Sequence, residues 1–307
     1  VKEGAGILRL TGANTFTGGI SVVTGSLDWL SSVVSSVANP LGRSSPIASN
    51  LLVGEQGALR NMGGAATCDR LFTVLGAIGI FNNGSGAVNF SATGALEYGT
   101  ADQARSISFL GAQTGLNIFS PIIADNGTAP TLVSKAGGGT WILAGANTYT
   151  GATAVSRGIL RITGSIVSPV TINGGASAAS LEGPTTTGAS ATVGAVTIAD
   201  FVNSRLRPGS FGNNTLYTGA ITCLGTNSTL VFDSTTTTFS KIVAAGDVNL
   251  GTSADLIFNA GMTTNGTYDL IDCTGYTLSG TATIATGIAG KILTLQYTSD
   301  KLRVVVS

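Results

Sequence analysis

Internal repetition constrains this chain more than any other feature. Residues 2–27 read KEGAGILRLTGANTFTGGISVVTGSL, residues 135–160 read KAGGGTWILAGANTYTGATAVSRGIL, and the two align without a gap. Gly12-Ala13-Asn14-Thr15 meets Gly145-Ala146-Asn147-Thr148, Phe16 meets Tyr149, and Gly25 meets Gly158. A second motif recurs later, as LGTNSTLVFD at 224–233 and LGTSADLIFN at 250–259, so that Leu224 returns as Leu250 and Phe232 as Phe258. A step of that size suits one coil of a solenoid, whose units run roughly 20 to 45 residues.

Parity supplies the strands, because successive side chains of a strand point to opposite faces. Leu8 and Leu10 share a face against Arg9, and Leu160 and Ile162 share one against Arg161. Leu27 and Trp29 share another, so that Asp28 is expected to point outward. Similar short apolar runs recur at 51–53, 87–90, 106–110, 170–172, 193–198, 230–232, 256–258 and 302–306, most of them separated by Gly, Asn, Ser or Thr. Against this background Leu27, Leu30, Val34 and Val37 stand at helical spacing before Asn39-Pro40, which predicts a short helix or helical turn there.

Three all-β architectures fit short strands and coil-sized repeats: a parallel β-helix, a β-sandwich pair and a propeller. A sandwich needs hairpin turns between neighbouring strands, and propeller blades need units of about 40 to 50 residues throughout. The repeats look instead like stacked equivalents. The expected fold is a right-handed, single-stranded parallel β-helix (a β-solenoid) with little helix and coils of about 22 to 26 residues. Leu230 should then lie over Leu256, and Phe232 over Phe258. Residues 1–205 are read as a β-helix holding both copies of the long repeat, and residues 206–307 as C-terminal coils or a cap.

Composition narrows the function. The apolar share of 43 % excludes intrinsic disorder. Only 10 % of residues are charged, against about 25 % in an average domain, and fifteen basic residues balance fifteen acidic ones. Nucleic acid and anionic membrane surfaces both call for a basic face, which this balance does not supply. No apolar run approaches the roughly 18 residues of a membrane helix, so membrane insertion is not expected. Val1-Lys2-Glu3-Gly4 does not open like a secretory signal, so export implies that residue 1 is a processed end or a cut. Because the chain opens inside a repeat, its first coil is expected to abut an upstream segment or a neighbouring subunit.

The absence of histidine removes Ser-His-Asp and Cys-His catalysis and the histidine-containing zinc sites. Cys68, Cys223 and Cys273 are scattered and read as small buried residues, with a Cys223–Cys273 bridge as the open alternative. Carboxylate chemistry needs two groups on one face. Asp269 and Asp272, three apart on a strand, are expected on opposite faces, and Asp247 and Asp255 fall on different segments. Gly137-Gly138-Gly139 runs into Thr140-Trp141 without the aspartate of a calcium-binding nonapeptide, and without the lysine of a phosphate loop. Trp29 and Trp141 would serve as glycan platforms if exposed, but their parity places them in the core. Asn83-Gly84-Ser85, Asn126-Gly127-Thr128 and Asn265-Gly266-Thr267 read as turns. No catalytic, cofactor-binding or metal-ligating residue is therefore named, and no cofactor is expected.

The elements GAGILRLTGANTFTGG and GGGTWILAGANTYTGA resemble the autotransporter-associated β-strand repeat, also called the passenger-associated transport repeat. Its pattern is a glycine-rich start, an apolar strand, a Gly-Ala-Asn-Thr-Tyr-Thr-Gly turn and a second strand ending Gly-x-Leu. LRPGSFGNNTLYTGAI at 206–221 resembles a junction near the end of such passengers, and NGTYDLID and KLRVVV resemble their closing coils. Residues 41–134 match only in texture. The resemblance implies an exported β-helix on a bacterial surface, acting as adhesin, matrix component or stalk. Nothing after Ser307 supplies the membrane barrel of an intact autotransporter, which implies a cleaved barrel or another route of export. The function expected is that of a non-catalytic structural or adhesive β-solenoid, extracellular at the cell surface. Its expected partners are further copies of itself, other surface proteins or a glycan receptor. A virion surface component (capsid decoration, tail fibre or spike) is the alternative, and a polysaccharide-active β-helix enzyme the lesser one.

Overall fold

A computed structural model of the protein describes residues 1–201, 203–259 and 261–307. They are all-β: the one helical turn among them is a 3-10 turn at Ala48–Asn50. The chain forms two compact units, Val1–Thr153 and Ala154–Ser307.

In the first unit the strands Ile7–Leu10, Gly25–Trp29, Gly57–Asn61, Ala77–Asn82, Arg105–Leu110 and Thr131–Lys135 stack in that order into one parallel sheet. A second parallel sheet holds Ala66–Cys68, Val88–Phe90, Asn117–Phe119 and Thr140–Leu143. Ile20–Val22, Leu51–Val53, Thr73–Val74 and Glu97–Tyr98 make a third. The chain returns to the first sheet once per coil and adds strands to the other two on most coils, the first two coils giving none to the second sheet; this is the expected solenoid. Parallel crossovers of this kind wind right-handed as a rule. The coil is less uniform than the sequence period implied. Leu8, Leu27, Leu59, Ile80, Phe109 and Lys135 pair in succession, and the path from Leu27 to Leu59 takes far more chain than the path from Leu8 to Leu27.

The core of this unit is aromatic. Phe90 packs on Phe119 at 5.4 Å between ring centroids, Phe109 on Phe119 at 5.1 Å and Phe109 on Trp141 at 5.2 Å. Trp29 meets Phe90 edge-on at 6.3 Å, and both tryptophans are buried as their parity requires. Where sheets meet, a column of buried amides joins the coils: Asn61 Nδ2 donates to Asn82 Oδ1 at 3.0 Å, Asn82 Nδ2 to Asn117 Oδ1 at 2.6 Å, and Asn117 Nδ2 to the Thr140 carbonyl at 2.7 Å.

The helical turn predicted across Leu27–Val37 is absent. Gly25–Trp29 is a strand, Val33 bridges to Cys68, and Leu30 and Val37 are exposed. Strand pairing on both sides of Gly25–Trp29 outweighs a weak local helical spacing. Asp28 corrects a second expectation. It does point away from Leu27 and Trp29, yet it is fully buried, held between Arg9 and Arg60 of the coils on either side at 3.2 and 3.0 Å.

The second unit is more regular. Gly158–Ile162, Ala179–Glu182, Ser204–Arg207, Thr229–Asp233, Ala254–Asn259 and Ala282–Thr286 form one parallel sheet. Its inward positions place Leu160, Leu181, Leu206, Leu230, Leu256 and Ile284 in one column, at nearly even intervals along the chain. Phe232 lies over Phe258 as predicted, the rings stacked 6.1 Å apart. A second parallel sheet runs through Val170–Ile172, Val196–Ile198, Ile221–Cys223, Val248–Asn249 and Leu278–Ser279. The third contains Ser165–Ile166, Ser190–Thr192, Thr215–Thr218, Lys241–Ala244 and Gly266–Asp272. It departs from the parallel plan at its end: Lys301–Val306 pairs antiparallel with both Gly266–Asp272 and Leu293–Tyr297.

Candidate functional site

The scarce charges are used mainly between coils. Every aspartate apart from Asp300 bonds a residue on another coil or strand through its carboxylate. Asp102 accepts the Thr128 amide at 2.7 Å and its hydroxyl at 2.9 Å, and these two bonds hold the Asp102 carboxyl below its ordinary value. On the second unit an alternating column runs Arg161–Glu182–Arg207–Asp233: Arg161 Nη2 to Glu182 Oε2 is 2.6 Å and Arg207 Nε to Asp233 Oδ2 is 2.6 Å. Asn259 extends it, donating to Asp233 Oδ1 at 2.9 Å. Such bonds fix the stacking register, since a one-residue slip turns every member to the wrong face.

The sequence candidates are resolved one by one. Cys68, Cys223 and Cys273 are free and buried, so no Cys223–Cys273 bridge forms. Burial pushes the Cys68 and Cys223 thiols up to about 12, and burial together with the charges of Asp300, Asp272 and Asp247 raises Cys273. None is a poised nucleophile, because the thiolate is the reactive form. Asn83 accepts the Ala112 amide, Asn126 donates to the Thr100 and Gln103 carbonyls, and Asn265 accepts from Lys291, so the asparagines of all three expected turns join neighbouring coils. A Cβ at Gly137 would collide with the Gly111 backbone, and one at Gly139 with the Gln113 carbonyl, which accounts for the glycine run by close backbone approach.

Asp269 and Asp272 overturn the parity argument. A bulge inserts an extra residue between Asp269 and Ile271, both Leu270 and Ile271 turn inward, and the two aspartates emerge on one face. The gain is not a catalytic pair. Lys301 Nζ bridges them at 3.2 and 2.8 Å, and Arg303 Nε adds a bond to Asp269 at 2.6 Å. Partial burial pushes Asp272 up, but Lys301 and the Thr274 hydroxyl and amide outweigh it and hold the carboxyl at about 2. Asp269 is likewise lowered, its partial burial outweighed by Arg303 and Lys301. A general acid needs the opposite shift.

Beside this cluster lies a groove of about 690 Å³ that sequence reasoning missed. Thr215, Lys241, Thr267, Asp269 and Arg303 line it from four adjoining strands, and Asn213, Thr238, Phe239 and Tyr268 line its end. The signal was present in KIVA at 241–244, where Lys241 takes the outward parity. The distinctive combination comes from the bulge and the antiparallel last strand, which no local pattern announces. The first unit offers by contrast a trough of about 630 Å³ floored by Ser26, Ala58, Gly79 and Ser108 in one register, small and uncharged throughout.

No helix among the described residues is long and apolar enough to cross a membrane. The profile of the passenger-associated transport repeat matches residues 1–28 and 133–162. Over 145 residues the sequence is 41 % identical to the adhesin BmaC autotransporter of Brucella suis biovar 1 (strain 1330), a match covering 45 % of this chain and 4 % of that relative. Neither similarity lends support to the virion alternative. In both copies the first lysine folds over its glycine turn, Lys2 onto the Gly4 carbonyl at 2.6 Å and Lys135 onto that of Gly137, while Gly25 and Gly158 take φ of 76° and 71°. This chain is therefore a β-solenoid in which two segments match the passenger-associated transport repeat.

Proposed function

We propose that the chain is a non-catalytic, adhesive segment of a passenger displayed outside a bacterial cell. The observation that carries this reading is the 41 % identity to an autotransporter adhesin, joined to two copies of the passenger repeat. The physical design supports it. Bonds to other coils or strands engage every aspartate apart from Asp300, and the two that share a face, Asp269 and Asp272, are neutralised by Lys301 and Arg303. What remains exposed is a rigid scaffold with hydroxyl-rich flanks, suited to presenting contact surface.

Beads coated with the purified chain test the proposal on epithelial cell layers. Saturable adherence that excess soluble chain competes away is expected. Adherence no greater than that of albumin-coated beads would refute the adhesive role.

A further inference from the structure

We propose that the groove beside Asp269 binds a carboxylate-bearing oligosaccharide, with Lys241 as the ion partner. The inference rests on the adhesive reading for its biological sense, and on the groove alone for its chemistry.

Lys241 stands out because this chain pairs most of its charges between coils. It is exposed, and among the described residues its ammonium has no hydrogen bond or ion pair. Arg303 commits Nε to Asp269, and its terminal nitrogens make no bond among the described residues. Tyr268 sits opposite the buried Val304 and packs edge-to-face on Phe239 at 5.4 Å, so it closes the end of the groove and leaves its outward face to the polar groups. Asn213 uses its Oδ1 to accept the Gly188 amide, which leaves its NH2 to donate. Amide and hydroxyl groups and two cationic donors thus converge on one groove, whose volume lies in the range of small-ligand sites.

The charge balance selects the ligand. The lining carries Lys241 and Arg303 against Asp269, which leaves one positive charge uncompensated. That suits a carboxylate on an otherwise neutral sugar chain and disfavours a densely sulfated or phosphorylated polymer, which Asp269 repels. An extended peptide has less claim, since peptide recognition by a sheet uses an open strand edge and the groove floor is an already paired face.

Isothermal titration of the full chain with hyaluronan hexasaccharide, which bears glucuronate carboxylates, tests the proposal against neutral maltohexaose. Saturable binding of the acidic hexasaccharide is expected, weakened by added salt and at least about tenfold weaker in Lys241→Ala, whose exposed side chain leaves the fold intact by circular dichroism. Absence of saturable binding, equal binding of maltohexaose, or unchanged binding in Lys241→Ala would each overturn it. The bead assay, run in parallel, separates the two claims. Adherent beads with a flat titration sink the saccharide site alone, and a positive titration with non-adherent beads sinks the adhesive role alone.

Discussion

The two units solve one packing problem in different ways. In the first, successive coils differ widely in length, and equivalent positions hold Leu8, Leu27, Leu59, Ile80, Phe109 and Lys135. Leu8, Leu27, Leu59 and Ile80 still stack like on like, but from Phe109 onward large rings at mixed angles fill the interior, and amides of Asn61, Asn82 and Asn117 satisfy one another at the seam. In the second, nearly even coils align five leucines, from Leu160 to Leu256, and Ile284 in a column. The second unit keeps aliphatic residues down its whole column, and the first turns to larger side chains partway along its own. Reliance on bulk brings dependence on single large residues.

That dependence orders the expected effects. Trp141→Ala removes a fully buried ring in contact with Phe90 and Phe109, and truncations of this type cost about 3–5 kcal/mol. Urea denaturation followed by near-ultraviolet dichroism should show the aromatic signal of the first unit lost early. A loss below about 2 kcal/mol would mean that the aromatic core tolerates collapse better than close packing allows. Leu230→Ala, in mid-column, should cost about 2–5 kcal/mol, and its neighbours Leu206 and Leu256 give the same result within error if the column is a ladder of equivalents. Asn82→Ala removes two buried hydrogen bonds, leaving Asn61 Nδ2 with the Gly64 carbonyl and Asn117 Oδ1 with the Val88 amide, and the loss of two such bonds costs about 1–3 kcal/mol.

The smallest effect is electrostatic. Asp272 and Asp269 have folded-state pKa values below their unfolded ones, so their stabilisation is present above the unfolded carboxylate pKa and is lost as pH falls through the folded one, which for Asp272 is about 2. Both groups are largely solvated, which limits the effect to about 1 kcal/mol or less per pair. Amide exchange should show the closing strands Gly266–Asp272 and Lys301–Val306 loosening between pH 4 and 2 while the leucine column stays protected. Asp272→Asn should abolish most of that pH dependence.

Legibility in the sequence followed the same division. The recurring LGT motif of the second unit announced the register of Leu230 on Leu256 and Phe232 on Phe258, because equal coils write their spacing into the chain. Residues 41–134 carried only texture, because unequal coils erase the period while keeping the strand parity. Asp28 pointed to the face its parity assigned, but burial on that face depends on Arg9 and Arg60 in adjoining coils, which local alternation does not reveal. The buried asparagines look like turn residues when read singly. The groove was invisible for a related reason: one inserted residue beside Leu270 and a last strand of reversed direction bring Asp269, Asp272, Lys301 and Arg303 together.

The parallel stacking has a mechanical corollary. Within each unit the strand hydrogen bonds run along the stacking direction, so a tensile load applied along it reaches the coils in series. The weakest yields first while the others hold. Each released coil of the second unit, such as that from Leu230 to Leu256, would lengthen the molecule by roughly 80 Å before the next is loaded. Under shear such a solenoid acts as an extensible fuse, releasing length in discrete increments and sparing whatever contact it holds.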